Sequence, residues 1–171
     1  MNPITRHLLT ASRTATARGI VNSPNAAQCA NLERLWAEME KIATLTGVAW
    51  VHDTDPRKDA LYFANIGYMA IACAYRCPVL NRAVGGDPAS AHLEGRAVDF
   101  QPGPGYTHDQ LQHAIADNPN IATDKIIEEF SADGARWLHF QVAPFGAAPR
   151  RLVRDLALDH VGGTIVRTVA G

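Results

Sequence analysis

Two imidazoles and one carboxylate are the residues of this chain best suited to chemistry. The stretch Ser90-Ala91-His92-Leu93-Glu94-Gly95-Arg96-Ala97-Val98-Asp99-Phe100 sets His92 seven residues before Asp99, with Gly95 between them. Forty residues after Asp99 comes a second imidazole, His139, on the alternating segment Trp137-Leu138-His139-Phe140-Gln141. Two neutral imidazoles and a carboxylate suit a first-row divalent metal, zinc above all. Three protein ligands leave a fourth position open, the arrangement of a catalytic rather than a structural zinc.

An open position on Zn2+ lowers the pKa of a bound water to about 7 and provides a nucleophile for hydrolysis at neutral pH. Such chemistry also needs a carboxylate to take the water proton and hand it to the leaving group. Glu129 and Glu128 stand on the segment leading into the His139 strand. Alternation turns only one of them towards His139, and Glu129 is favoured. Arg76 offers a planar donor fork for a substrate carboxylate or a developing oxyanion. Each residue alone has a plainer reading. A single strand histidine usually just satisfies a hydrogen bond, Asp99 can cap or form an ion pair, Arg76 can pair with Asp87, and Glu129 can be a solvated strand residue. His7, His52, His108, His113 and His160 have no partner pattern and read as surface or structural.

The elements that position these groups follow from periodicity. Leu32, Leu35, Trp36, Met39, Ile42 and Ala43 recur at helical spacing after Ser23-Pro24, a hydroxyl cap followed by a first-turn proline, and Gly47 closes the run. The pattern predicts a core-packing helix over 24–46. Val48–Val51 and Tyr68–Tyr75 read as strands, with 53–67 an ambiguous insertion between them. Pro78, Gly85, Gly86 and Pro88 make the next segment a loop by composition. Ala97–Phe100 is a strand whose alternation separates Ala97 and Asp99 from Val98 and Phe100. An unbroken strand would leave His92 and Asp99 on opposite faces, so a metal site requires the turn that Gly95 can supply. Thr107 with Gln110 is a capping box for a short helix ending before Pro119. Lys125–Phe130 and Arg136–Val142 are strands joined through a turn at Asp133-Gly134.

The 171 residues suffice for one domain with a core. The expected division is an N-terminal arm at 1–22, the domain at 23–149 and a basic, then apolar, tail at 150–171. A net charge of −1 gives no case for nucleic acid or an anionic membrane surface. The cluster Arg150, Arg151 and Arg154 reads as a solvated face. No stretch nears the roughly 20 apolar residues of a membrane helix, so no membrane insertion is expected. Met1–Ile20 lacks a secretory apolar run, which points to synthesis in a cytoplasm. Cys29, Cys73 and Cys77 are too few and too sparse for a disulfide framework and read as reduced thiols; a Cys73–Cys77 metal or redox role comes second.

The joint pattern resembles a family. Tyr75-Arg76-Cys77-Pro78, Leu80-Asn81, Ala83-Val84-Gly85-Gly86, Ser90-x-His92-x-x-Gly95-x-Ala97-x-Asp99-Phe100, Ile126-Ile127-x-Glu129-Phe130 and Trp137-x-His139 are similar to the D-alanyl-D-alanine carboxypeptidase and L-alanyl-D-glutamate endopeptidase family of zinc metallopeptidases. That family includes phage endolysins. The resemblance spans roughly residues 20–145. It implies an α+β fold, a small antiparallel sheet packed on helices with a zinc cleft on the sheet. It implies hydrolysis of peptidoglycan stem peptides, with Zn2+ held by His92, Asp99 and His139. Arg76 becomes a catalytic and substrate-binding residue, and Ser90 a contact to substrate or a support for the ligands. Apart from the resemblance, a monomer is expected, although the sequence itself is silent on oligomeric state. Many members carry a Glu three residues before the last histidine, where this chain has Arg136. The branch it most resembles places the Glu on the preceding strand, at Glu129. The absent secretory signal fits delivery to the cell wall by phage lysis or from a virion. The competing reading is a catalytically silent, zinc-stabilised wall-binding or virion structural domain.

Overall fold

The longest helix, α3 (Ala26–Thr46), presents Leu32, Leu35, Met39 and Ile42 to the interior from the positions its periodicity assigns. It starts two residues later than Ser23-Pro24 suggested. Asn25 is the cap: its side chain accepts from the Gln28 N–H, and the Gln28 side chain accepts from the Asn25 N–H. This reciprocal pair satisfies two donors at the helix start, which a serine cap followed by Pro24 would not. Gly47 ends the helix at φ 71°.

The computed structural model describes residues 1–53, 68–131, 134–159 and 163–167, from residue 154 onward by backbone alone. The ambiguous segment at 54–67 and the turn residue Asp133 lie outside the described residues. Seven strands form one sheet: β1 (Ala49–His52), β2 (Tyr68–Cys73), β3 (Ala97–Gln101), β4 (Lys125–Phe130), β5 (Arg136–Gln141), β6 (Leu152–Asp159) and β7 (Gly163–Arg167). Their order is β1-β2-β3-β5-β4-β6-β7. The α+β class is as expected. The four central strands are antiparallel, but β1 joins β2 and β6 joins β4 in parallel, so the sheet as a whole is mixed rather than antiparallel.

Opposed residues on paired strands share a face. Ile71, Val98, Phe100, Ile126, Leu138 and Phe140 form the apolar face and pack with α3. The Trp50 ring meets Phe100 edge-on at 5.0 Å, and its N–H donates to the Met39 carbonyl at 2.7 Å. Each such buried side chain contributes about 1.5–3 kcal/mol of hydrophobic stabilisation. The other face carries Asp99, His139 and Glu129.

Three segments differ from their sequence reading. Residues 1–22 are not a free arm: α1 (Pro3–Thr10) and α2 (Arg13–Arg18) fold back, and Leu9 is fully buried in the core. One well-placed leucine anchors a segment whose composition is otherwise polar. Residues 78–83 are a helix, α4 (Pro78–Ala83), not a loop. Pro78 sits in its first turn, where a missing N–H costs nothing, and Asn81 donates to the Gly86 and Asp87 carbonyls to close the far end. Residues 152–159 and 163–167, within the expected tail, add β6 and β7 to the sheet. Arg150 fastens the start of that addition by donating to Asp124 at 3.0 and 2.7 Å.

Candidate metal centre

His92 sits on a 3-10 turn, Ala91–Glu94, capped by Ser90, whose Oγ accepts from the His92 N–H at 3.3 Å. Gly95 closes the turn at φ 71°. A side chain there is excluded twice, by that φ and by space: a Cβ would lie 2.8 Å from the Gln28 carbonyl oxygen of α3. Gly95 therefore does what the metal hypothesis required. It reverses the chain so that His92 returns towards the face of β3 that bears Asp99.

The register of the sheet supplies the other two groups. Asp99 on β3 is directly opposite His139 on β5, so both side chains emerge on one face. His92 Nε2 lies 3.1 Å from Asp99 Oδ1 and 3.2 Å from His139 Nδ1, and His139 Nδ1 lies 2.9 Å from Asp99 Oδ1. His92, Asp99 and His139 are buried, at 1, 8 and 5 % exposure. Ligands about 2.1 Å from one tetrahedral ion stand about 3.4 Å apart, so this triangle is close to a ligand set already drawn together.

Proton placement tests whether a cation fits. His92 Nδ1 lies 2.5 Å from the Ala74 carbonyl oxygen, which can only accept, so that nitrogen carries the ring proton. With that ring proton alone, His92 turns an Nε2 lone pair on a carboxylate oxygen and on His139 Nδ1. A further proton shared within the cluster or a metal ion bound there would each satisfy these atoms. Fixing one imidazole nitrogen on a backbone carbonyl while the other faces the cluster is also how metal-ligating histidines are oriented. His139 Nε2 is buried with no hydrogen-bond partner among the described residues. Burial would raise the Asp99 carboxyl, but His92 and His139 outweigh it through charge and hydrogen bonds and hold it well below the usual carboxylate range. The donor set thus fits a divalent cation.

Glu129 and Glu128 separate as alternation predicts. Glu129 is opposite Trp137 and shares the face of His139. Carboxylate and imidazole atoms of Asp99, Glu129 and His139 lie within 4.8 Å of one another. Trp137 Nε1 donates to Glu129 Oε2 at 2.5 Å and fixes the carboxylate. Burial and the neighbouring Asp99 push the Glu129 carboxyl up, against the pull of His139, Trp137 and Lys125. Glu128 is on the other face and pairs with Arg136. Arg136, whose guanidinium also lies 4.8 Å from the centre of the Phe130 ring, therefore brings no cation into the metal cluster.

Arg76 follows β2 in a loop held from several sides. Its N–H donates to the His92 carbonyl, the Tyr75 N–H to the Leu9 carbonyl, and the Cys77 N–H to the Asn22 side chain. Its guanidinium reaches to 3.9 Å from Asp99 Oδ2 and does not pair with Asp87, whose Oδ1 accepts from Ala89. A cavity of about 290 Å³ opens here, lined by Arg76, Cys73, Arg13 and Asp53 among others. Cys73 belongs to the cluster, and its company is His92 and Asp99 rather than the Cys77 that sequence spacing offered. Its sulfur lies within 4.8 Å of ligand atoms of both residues, and burial pushes its thiol up to about 12. Trp137 was missed as a partner of Glu129, although the even offset from His139 already placed it on the same face.

Residues 62–122 match the family model of Peptidase M15, a family of zinc peptidases. The matched segment includes Arg76, Ser90, His92 and Asp99; Glu129 and His139 follow it on the neighbouring strands. No curated protein matches the chain.

Proposed function

With the Peptidase M15 match over residues 62–122 as premise, we propose that this protein is a zinc-dependent peptidase hydrolysing peptidoglycan stem peptides, of D-Ala-D-Ala carboxypeptidase or L-Ala-D-Glu endopeptidase type. The observation that carries the reading is the convergence of His92 Nε2, Asp99 Oδ1 and His139 Nδ1 within 3.2 Å of one another beside a further carboxylate, Glu129. His92, Asp99 and His139 would hold Zn2+, which supplies a Lewis acid and an acidified water when bound.

The chain's own groups do the rest. Glu129, oriented by Trp137, takes the proton of the attacking water and delivers it to the leaving amine. Its buried setting, beside Asp99, favours the protonated carboxyl that holds this proton between the two transfers. Arg76, whose guanidinium reaches to 3.9 Å from Asp99 Oδ2, binds a substrate carboxylate or steadies the oxyanion that forms as the carbonyl is attacked. Ser90 supports the centre by capping the turn that carries His92. The likeness around Glu129 favours a lysis or virion enzyme within this reading. Among the described residues no helix is long and apolar enough to cross a membrane. The silent-domain reading rests on Arg136 standing where many members carry a Glu; the pairing of Arg136 with Glu128, away from His139, supports Glu129 as the base instead.

The test is mass spectrometry of defined muropeptides incubated with the zinc-loaded protein. Fragments cut at one peptide bond are expected, with Glu129→Gln slowing their release about 10²–10⁴-fold while zinc stays bound. Intact muropeptides after prolonged incubation with the zinc-loaded wild type would overturn the assignment.

A further inference from the structure

Strand β2 is irregular at the point where it reaches the metal cluster. Ala70 is opposite Gln101 and Ile71 opposite Phe100, but Cys73, not Ala72, is opposite Asp99. One extra residue has been inserted, and Ala72 is turned out to solvent. In a regular ladder Ala72 would share the face of Asp99 and Cys73 would not. Bulges of this kind re-aim a side chain and are concentrated beside active sites. The result is a row across three neighbouring strands, Cys73, Asp99 and His139, all on one face. The sulfur lies within 4.8 Å of ligand atoms of both His92 and Asp99. It also lines the cavity that Arg76 enters, so it stands between that cavity and the cluster. Its hydrogen bond to the Ala74 carbonyl, at 3.9 Å, is weak, and the hydrolytic scheme above does not use it.

We propose that Cys73 is a fourth ligand for the metal, giving the centre a closed form built from one thiolate, two imidazoles and one carboxylate, alongside the open form that hydrolysis requires. This rests on the zinc reading above and adds a regulated state to it. In the closed form the S–H bond breaks, its proton leaves to solvent, and a sulfur–metal bond forms. No electrons are transferred, so no oxidant is involved. Thiolate is the strongest zinc donor this chain can offer, and with His92, His139 and Asp99 it would bring the protein ligands to four. The closed form has no open corner, and a substrate entering past Arg76 must displace the sulfur. Cys73 is thereby a latch between resting and active protein.

Cobalt(II) substitution reads this directly, because a thiolate ligand adds a near-ultraviolet sulfur-to-cobalt charge-transfer band to the visible ligand-field bands. The cobalt-loaded wild type is expected to show both. Cys73→Ser and Cys73→Ala are expected to keep the visible bands and lose the ultraviolet one, and Cys77→Ser to keep both. Reading two substitutions at Cys73 guards against one of them failing to fold. Visible bands without charge transfer in the wild type, or a charge-transfer band that survives both Cys73 substitutions, would overturn the latch and leave the three-ligand centre standing. Failure of the wild type to take up cobalt at all would overturn the metal centre and the latch together.

Discussion

On β3 and β5, Val98, Phe100, Leu138 and Phe140 point into the apolar layer beneath α3, whereas Asp99 and His139, their immediate neighbours, point the other way. The two faces share every backbone hydrogen bond but contribute differently. The apolar face gains free energy by leaving water. The polar face gathers two imidazoles and two carboxylates within reach of one another. The opposite face, through α3 and the sheet, holds the strands that carry them in register. A site on strands of this kind is rigid without having to contribute to stability itself.

Adjacent substitutions break the comparison most sharply. His139→Ala is expected to abolish zinc binding and peptide hydrolysis while leaving the melting of the metal-free protein close to wild type. Phe140→Ala, one residue along, is expected to cost about 3–5 kcal/mol in urea unfolding, while the molecules that remain folded keep their zinc. If both variants lost the same property, the division of labour between the faces would be wrong.

The edge of the polar face sharpens it further. Asp124 is almost fully buried at the end of β4, next to Gln141 and beneath Arg150. Burial would raise its carboxyl, but the Arg150 side-chain and backbone donors and Gln141 outweigh it and pull it below the ordinary value. A carboxyl depressed on folding stabilises the native state above its unfolded value, about 3.9, and loses that contribution as pH falls through the lower folded value. Asp124→Asn is expected to cost about 1.5–3 kcal/mol at neutral pH and to shrink the gap from wild type below about pH 4, as seen in urea titrations at several pH values. A gap that stays constant down to about pH 2 would argue against the Arg150 pairing. The smallest effect belongs to the helix cap. Asn25→Ala removes the side-chain acceptor of the Gln28 N–H and is expected to cost about 1 kcal/mol, lowering the melting temperature with no change in zinc content.

Local rules made much of this arrangement legible in sequence. The spacing of Leu32, Leu35, Met39 and Ile42 identified α3 and its buried stripe. Alternation along 125–130 separated Glu129 from Glu128, and the odd offset from His92 to Asp99 demanded a turn at Gly95. The rest depended on long-range pairing. Nothing near Cys73 announces a bulge, because the extra residue is defined only against its partner strand β3. Leu9 joins the core only once α1 has folded onto the end of β2. The 152–159 segment becomes strand because β4 offers it an unpaired edge. Pro78 looked like a loop breaker because a proline in the first turn of a helix and one in a loop are indistinguishable by composition.

The central claim is that His92, Asp99 and His139 share one ion, and elemental analysis of purified protein tests it most directly. The account predicts one zinc per chain in the wild type and essentially none in Asp99→Ala, with the same circular dichroism for both. A wild type free of zinc after loading, or an Asp99→Ala protein that retains it in full, would contradict the account.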